Sequence, residues 1–360
     1  MDRIAVLYRL ESPACEIEAR AQALAIEQSV EMPLAAIRSP GVLKDVVGRV
    51  DGIEPDGEGF YLVRIGLALQ TMGRDIGQLL NMLFGNSSTL DHVRLLDADF
   101  PQDLLKHYGG PRFGVLGLRE KLQAFDRPLT ATAIKPQGLA SQDLAALCAV
   151  FSQAGIDIIK DDHGMGDQSY APFAKRVAAC QKAVAGSRTL YAPHLTGGPK
   201  AMAEQLRVVE GEGVGMVMVS PMLMGLPVVQ ELVALHLKVP VLAHPAMAGA
   251  ARIAPPLLLG KLFRMIGADA LVYPNHGGRF GYSPKTCQEL VNAAKGEWGG
   301  LKPALPVPAG GMTLARVPEM LRFYGQDVIL LIGGALLVAG DRLLEESRAF
   351  VSAVAGKDAP

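Results

Sequence analysis

The sequence predicts an α/β protein: a (β/α)8 TIM barrel spanning residues 116–360, preceded by a smaller α+β, ferredoxin-like domain in residues 1–115. Three observations predict it. After residue 128, short and nearly continuous apolar runs recur roughly every 20–35 residues, as a buried parallel sheet requires. Stretches with helical spacing lie between them. The first third has a different rhythm and ends at a glycine-rich break.

In the first domain, "RIAVLYR" (3–9) reads as a strand and "ACEIEARAQALAIEQS" (14–29) as a helix. "GFYLVRIGLAL" (59–69) reads as a second strand and "DIGQLLNMLFG" (75–85) as a second helix. "KHYGGPRFG" (106–114) is the break. The eight barrel strands are then "LTATAIK", "IDIIK", "TLYAPHL", "VGMVMVS", "VPVLAH", "DALVYP", "LPVPAGG" and "VILLIGG". Helical periodicity separates them at 141–154, 169–184, 201–211, 255–266 and 313–323. A doubly wound open sheet is the alternative, but no GxGxxG follows an early strand.

Composition narrows the function. Hydrophobic residues make up 49% and charged residues 20%, which is globular rather than disordered. A net charge of −1 leaves no concentrated basic balance for nucleic acid. No unbroken run of 18 apolar residues exists to span a membrane, and "MDRIAVLYRLESP" lacks a signal-peptide pattern. Cys15, Cys148, Cys180 and Cys287 form no CxxC motif and read as reduced thiols. A cytoplasmic protein is expected, without nucleic-acid or membrane partners.

In a (β/α)8 barrel the chemistry collects at the C-terminal ends of the strands. Those ends carry Lys135, then Lys160, Asp161, Asp162 and His163, then His194, Ser220, His244, and Asn275 with His276. The last two strands end in Gly310/Gly311 and Gly333/Gly334. Four of the seven histidines fall in this set, more than a scatter would place there. Each residue also has a structural reading. Lys135 could be a solvated loop residue, the glycines plain turns, and each histidine a core residue satisfied by a carbonyl. As functional groups, the glycines would offer backbone N–H donors to a phosphate. Alternation along the second strand turns Lys160 and Asp162 the same way, with His163 following at the bend. Carboxylates and an imidazole suit a divalent cation, and the histidine shifts preference away from Mg²⁺. A lysine among ligands makes sense only if its charge is removed, as by carbamylation with CO₂.

"IIKDDHG" (158–164) resembles the carbamylated-lysine Mg²⁺ motif of RuBisCO. "TAIKPQGL", "LAHPAMAG", "VPAGGM" and "LLIGGALL" resemble further active-site segments of that family, in order along the chain. In the first domain "IEQSVEMP", with Glu27, and "NMLFGN", with Asn81, resemble segments that reach into a neighbouring subunit's site. The departures are as informative. His163 stands for the third ligand, a glutamate, and Gln137 for a second lysine. Pro245 replaces an arginine that binds the second phosphate, Ala248 a histidine, and Ala309 a serine. "PNHGGRFGYS" does not match the loop whose lysine handles CO₂, and Met32 and Pro33 stand for Thr-Trp.

The resemblance therefore implies a RuBisCO-like protein of the type IV branch, and not a carboxylase. It implies Lys160 (carbamylated), Asp162 and His163 as ligands of Mg²⁺ or another divalent ion. Lys135 is the first candidate for proton transfer, with Lys160, His244, Glu27 and Asn81 as further catalytic residues. Gly310, Gly311, Gly333 and Gly334 would hold a phosphate. Arg279, His194 and Gln137 are candidate substrate contacts, Arg279 at the end remote from that phosphate. The expected reaction is enolisation of a phosphorylated keto-sugar, as in an isomerase of 5-methylthioribulose 1-phosphate. Decarboxylation of a 3-oxo sugar-acid phosphate (oxo-isoapionate 4-phosphate type) and a non-catalytic binding role are the alternatives. A homodimer with shared sites, or a higher oligomer, is implied.

Overall fold

The structure is a computed structural model that describes residues 2–356. The chain divides into two compact units. The first takes residues up to Tyr108, with Met247–Leu258 and Trp298–Gly300, and the second takes the rest.

The first unit is built on four strands: β1 (Arg3–Glu11), β2 (Arg49–Pro55), β3 (Phe60–Ala68) and β4 (Val93–Asp99). They form one antiparallel sheet in the order β2-β3-β1-β4, the ferredoxin-like order. Strict alternation along β1 buries Ile4, Val6, Tyr8 and Leu10 on one face. The helix Ile17–Glu27 buries Ala21, Leu24 and Ala25, and the helix Ile76–Phe84 buries Ile76, Leu79 and Leu83. The Tyr8 hydroxyl donates to the Leu83 carbonyl (2.5 Å), tying β1 to the second helix. The sequence reading finds β1 and β3 but not β2 and β4. Those two are the sheet's edges, and β2, with an Asp, a Gly and a Pro and no fully buried residue, carries little hydrophobic pattern.

The second unit is the barrel. Its strands are β5 (Leu129–Ala133), β6 (Ile158–Lys160), β7 (Leu190–Ala192), β8 (His194–Leu195), β9 (Val217–Val219), β10 (Val241–Ala243), β11 (Ala270–Pro274), β12 (Leu305–Ala309) and β13 (Ile329–Leu331). All pair in parallel, as β13-β5-β6-β7 and β8-β9-β10-β11-β12. β7 and β8 are one barrel strand interrupted at Pro193, which has no N–H for the ladder, though its carbonyl still accepts from Met218 N–H (2.9 Å). β12 lies beside β13, giving eight staves. The helix expected over 169–184 begins only at Phe173, after Pro172.

One buried cluster fills the barrel. It joins Leu129 and Ala131, Ile158, Ala192, Met216 and Met218, Leu242, Ala270 and Val272, Leu305 and Val307, and Ile329 and Leu331. Val115, Leu118 and Leu122 of the helix Gly114–Leu122 complete it. The positions alternate along every strand, so the next ones on the same face are fixed by parity. They are Ala133 and then Lys135, Lys160 and Asp162, His194, Ser220, His244, Pro274, Ala309 and Gly333. The alternation that packs the core therefore also aims the polar groups at its C-terminal end.

Candidate active site

Lys160 closes β6 and is 4% exposed. Its ammonium donates to the Asp161 carbonyl (2.8 Å). Burial lowers its pKa to about 8 against the opposing charge of Asp162, with Lys135 adding to the lowering. Asp162 is the meeting point. Lys135, beyond β5, donates to its Oδ2. Gly164 N–H (2.9 Å) and the Gln137 amide (3.4 Å) donate to Oδ1, and His163 Nδ1 lies 3.5 Å away. Burial pushes the Asp162 carboxyl up, but the hydrogen bonds from Lys135 and Gly164 outweigh it and hold the group well below the usual carboxylate range. A side chain at Gly164 would collide with the Gln137 amide and displace it from Asp162.

His163 is about half exposed and stacks on His244, ring centroids 4.4 Å apart and planes 11° from parallel. Burial lowers both pKa values, that of His244 strongly, and nearby Lys160 lowers them further. His244 Nδ1 accepts from Ala246 N–H (3.2 Å), so its neutral ring carries the proton on Nε2. His244 thus offers a neutral donor.

His194 differs from expectation, whereas Asp161 follows the strand alternation. His194, expected to touch substrate, spends both ring nitrogens on protein. Nδ1 donates to the Met165 carbonyl (2.9 Å) and Nε2 accepts from the Ser220 hydroxyl (3.0 Å). Asp161, read as part of one charged run, points away from its neighbours into the wall. Its carboxylate accepts from Arg176 (3.2 Å), the Tyr191 hydroxyl (2.6 Å) and His194 N–H (3.0 Å), all buried. Arg176 also donates to the carbonyls of Ala171 and Gly166 (2.7 and 2.9 Å). Period-2 alternation was the available signal, since it sets Asp161 opposite Lys160 and Asp162.

The remaining candidates divide between the units. Gly310 and Gly311 follow β12 with φ of +83° each, and Gly333 and Gly334 follow β13. Gly333 approaches Lys135, a Cβ there falling 3.9 Å from Lys135 Cε. Arg279 is exposed in the loop after β11. Glu27 and Asn81 belong to the first unit. Glu27 ends the helix Ile17–Glu27 and accepts from the Asn86 amide (3.2 Å), and Asn81 is exposed on Ile76–Phe84.

Among the described residues no three His, Cys, Asp or Glu side chains converge as a cation-holding group. Asp162 and His163 reach a usable donor set only if Lys160 adds oxygens. Its burial beside Asp162, and its pKa of about 8, fit a lysine that can give up its proton and become a carbamate.

Residues 114–340 match the family model of the ribulose bisphosphate carboxylase large chain, catalytic domain. The chain is 51% identical to a 5-methylthioribulose-1-phosphate isomerase of Rhodospirillum rubrum, over 99% of this chain and 97% of the relative. It is 33% identical to a 2,3-diketo-5-methylthiopentyl-1-phosphate enolase of Geobacillus thermodenitrificans, over 81% and 74%. The crystal structure of a Rubisco-like protein from Rhodopseudomonas palustris superposes with a TM-score of 0.93 at 49% identity, covering 99% of both chains.

Proposed function

The chain belongs to the RuBisCO large-chain family as a RuBisCO-like protein, and on that premise we propose that it isomerises a phosphorylated keto-sugar of the 5-methylthioribulose 1-phosphate type. The observation that carries the reading is the contact of Lys135 with Asp162 at the barrel's C-terminal end, beside buried Lys160.

In the proposed reaction, a C–H bond α to the substrate carbonyl breaks. Its electron pair forms the C=C bond of an enediol(ate) as the carbonyl π pair moves onto oxygen, and the proton passes to Lys135, which acts as the base only after its own ammonium proton has left. Lys135 then returns a proton to a neighbouring carbon, so the step is a net 1,2- or 1,3-proton transfer. His244 Nε2–H donates to a substrate oxygen and stays neutral, because burial resists its charging. Asp162 and His163, with Lys160 as a carbamate, would hold a divalent cation. When bound, that ion supplies Lewis-acid stabilisation of the enediolate oxygens. The glycine N–H groups after β12 and β13 would hold one phosphate. Pro245 and Ala309 bring no charge for a second, which supports a substrate phosphorylated at one end. The isomerase and enolase names of the relatives favour proton transfer over decarboxylation. By the same reading, Glu27 and Asn81 serve the barrel of a second copy in a homodimer or larger assembly.

The test is turnover in D₂O with Mg²⁺ and bicarbonate. 5-Methylthioribulose 1-phosphate should yield an isomer and take up deuterium without releasing CO₂. Release of CO₂ from a 3-oxo sugar-acid phosphate, with no exchange in the ketose, would establish the decarboxylase instead.

A further inference from the structure

The loop after β11, residues 275–281, is fastened at its root. Asn275 N–H donates to the Ala309 carbonyl (2.8 Å), and its side-chain oxygen accepts from the Tyr324 hydroxyl (2.6 Å). The Asn275 amide group points at the sulfurs of Met312 and Met320 (3.2 and 2.8 Å). The His276 ring packs on Phe323 (centroids 4.5 Å apart), and its carbonyl accepts from Arg316 (3.0 Å), which also pairs with Glu319. A Cβ at Gly277 would sit 3.1 Å from the Arg316 guanidinium, and one at Gly278 would collide with the Gly310 carbonyl oxygen. Gly311 is equally tight in return: a Cβ there would lie 3.1 Å from Gly278 Cα and 3.2 Å from Arg279 N. Two loops thus lie backbone against backbone, an approach that glycine alone allows.

Its tip carries chemistry. Phe280 is 55% exposed, and its ring covers Gly310, where a Cβ would fall 2.7 Å from a ring carbon. The Arg279 guanidinium sits over that ring, 4.7 Å from the centroid. No carboxylate among the described residues pairs with it.

We infer that Arg279 is the side-chain cation of the phosphate subsite at Gly310 and Gly311, with Phe280 positioning its guanidinium over the glycine-packed loop. This deepens the phosphosugar reading and rests on it. It also moves Arg279 from the far end of the substrate, where its charge alone suggested it, to the phosphate end. Backbone N–H groups give direction but no net charge. A guanidinium gives a phosphate monoester both charge and a two-pronged donor. Because the root is packed in advance, little ordering is left for the substrate to impose.

The experiment compares wild type with Arg279→Ala in two measurements: titration with inorganic phosphate, and steady-state kinetics on 5-methylthioribulose 1-phosphate. Phosphate affinity should fall roughly 10- to 100-fold, and KM should rise by a similar factor with kcat nearly unchanged. Added guanidinium ion should restore much of the loss, which a merely structural defect would not show. Phe280→Leu should lose less, by roughly 3- to 10-fold. Unchanged phosphate affinity in Arg279→Ala would overturn the inference, as would a fall in kcat at constant KM. If wild type turns over no phosphoketose, the isomerase reading fails, while the phosphate titration still decides the role of Arg279.

Discussion

Lys160 and Asp161 are neighbours in sequence with opposite fates, and that contrast sets two predictions. An ordinary lysine, at a pKa of 10.5, is neutral in about one molecule in 3,000 at pH 7. At about 8, the fraction is roughly one in ten. CO₂ adds to the neutral amine. Activation by bicarbonate with Mg²⁺ should therefore climb through pH 8, level off above pH 9 and fade below pH 7. Carbamate formation followed with ¹³C-bicarbonate by NMR checks this, and a midpoint near 10.5 would contradict it. Asp161, by contrast, serves the fold. Asp161→Asn leaves buried Arg176 without its counter-charge and should cost about 3–5 kcal/mol of stability, seen as a lower urea midpoint. Conservative changes at Lys160 should lower the midpoint far less, because a lysine that stays charged there is already opposed by burial. Both residues sit in one charged quartet, and only the two-residue period separates them. His194 was less legible: nothing in "YAPHLTGG" says that Met165 and Ser220 will occupy its ring.

At the scale of elements, the strands carry the site because they carry the core. Parity along β5, β6 and β10 runs from Leu129, Ile158 and Leu242 to Lys135, Asp162 and His244 without a break. That pattern is visible in the sequence, so most of the barrel and its polar end could be read in advance. The edge strand β2 could not, since it buries no residue fully and its hydrophobic signal fades; β4 buries Val93, Leu95 and Ala98, but charged residues interrupt its short run. Loops were legible only as glycine and charge. The contact of Gly278 with Gly310 joins segments some thirty residues apart, and no local rule couples them. Gly164→Ala tests one such close approach. The added methyl would push the Gln137 amide away from Asp162, and activity should fall roughly 10-fold or more with stability nearly kept. A compensating Gln137→Ala should recover part of the loss.

For the whole molecule, the first unit contributes Glu27 and Asn81 under the shared-site reading, and mixing experiments reach that claim directly. Lys135→Ala and Glu27→Ala proteins, each inactive alone, should regain up to about a quarter of wild-type activity when subunits are exchanged, because half of the mixed dimer's sites are intact. No recovery after demonstrated exchange would mean that each chain works alone. The fold itself admits several chemistries, so the reaction rests on the groups at the barrel's end rather than on the architecture.

The central claim is that Lys135 moves the proton. The most direct measurement is deuterium uptake from D₂O into 5-methylthioribulose 1-phosphate by wild type and by Lys135→Met. The methionine keeps the apolar stem, one atom shorter, without a basic nitrogen. Wild type should exchange and isomerise, and the variant should lose roughly 10²- to 10⁴-fold in exchange rate while still binding inorganic phosphate normally. Exchange at the wild-type rate in Lys135→Met would contradict the account.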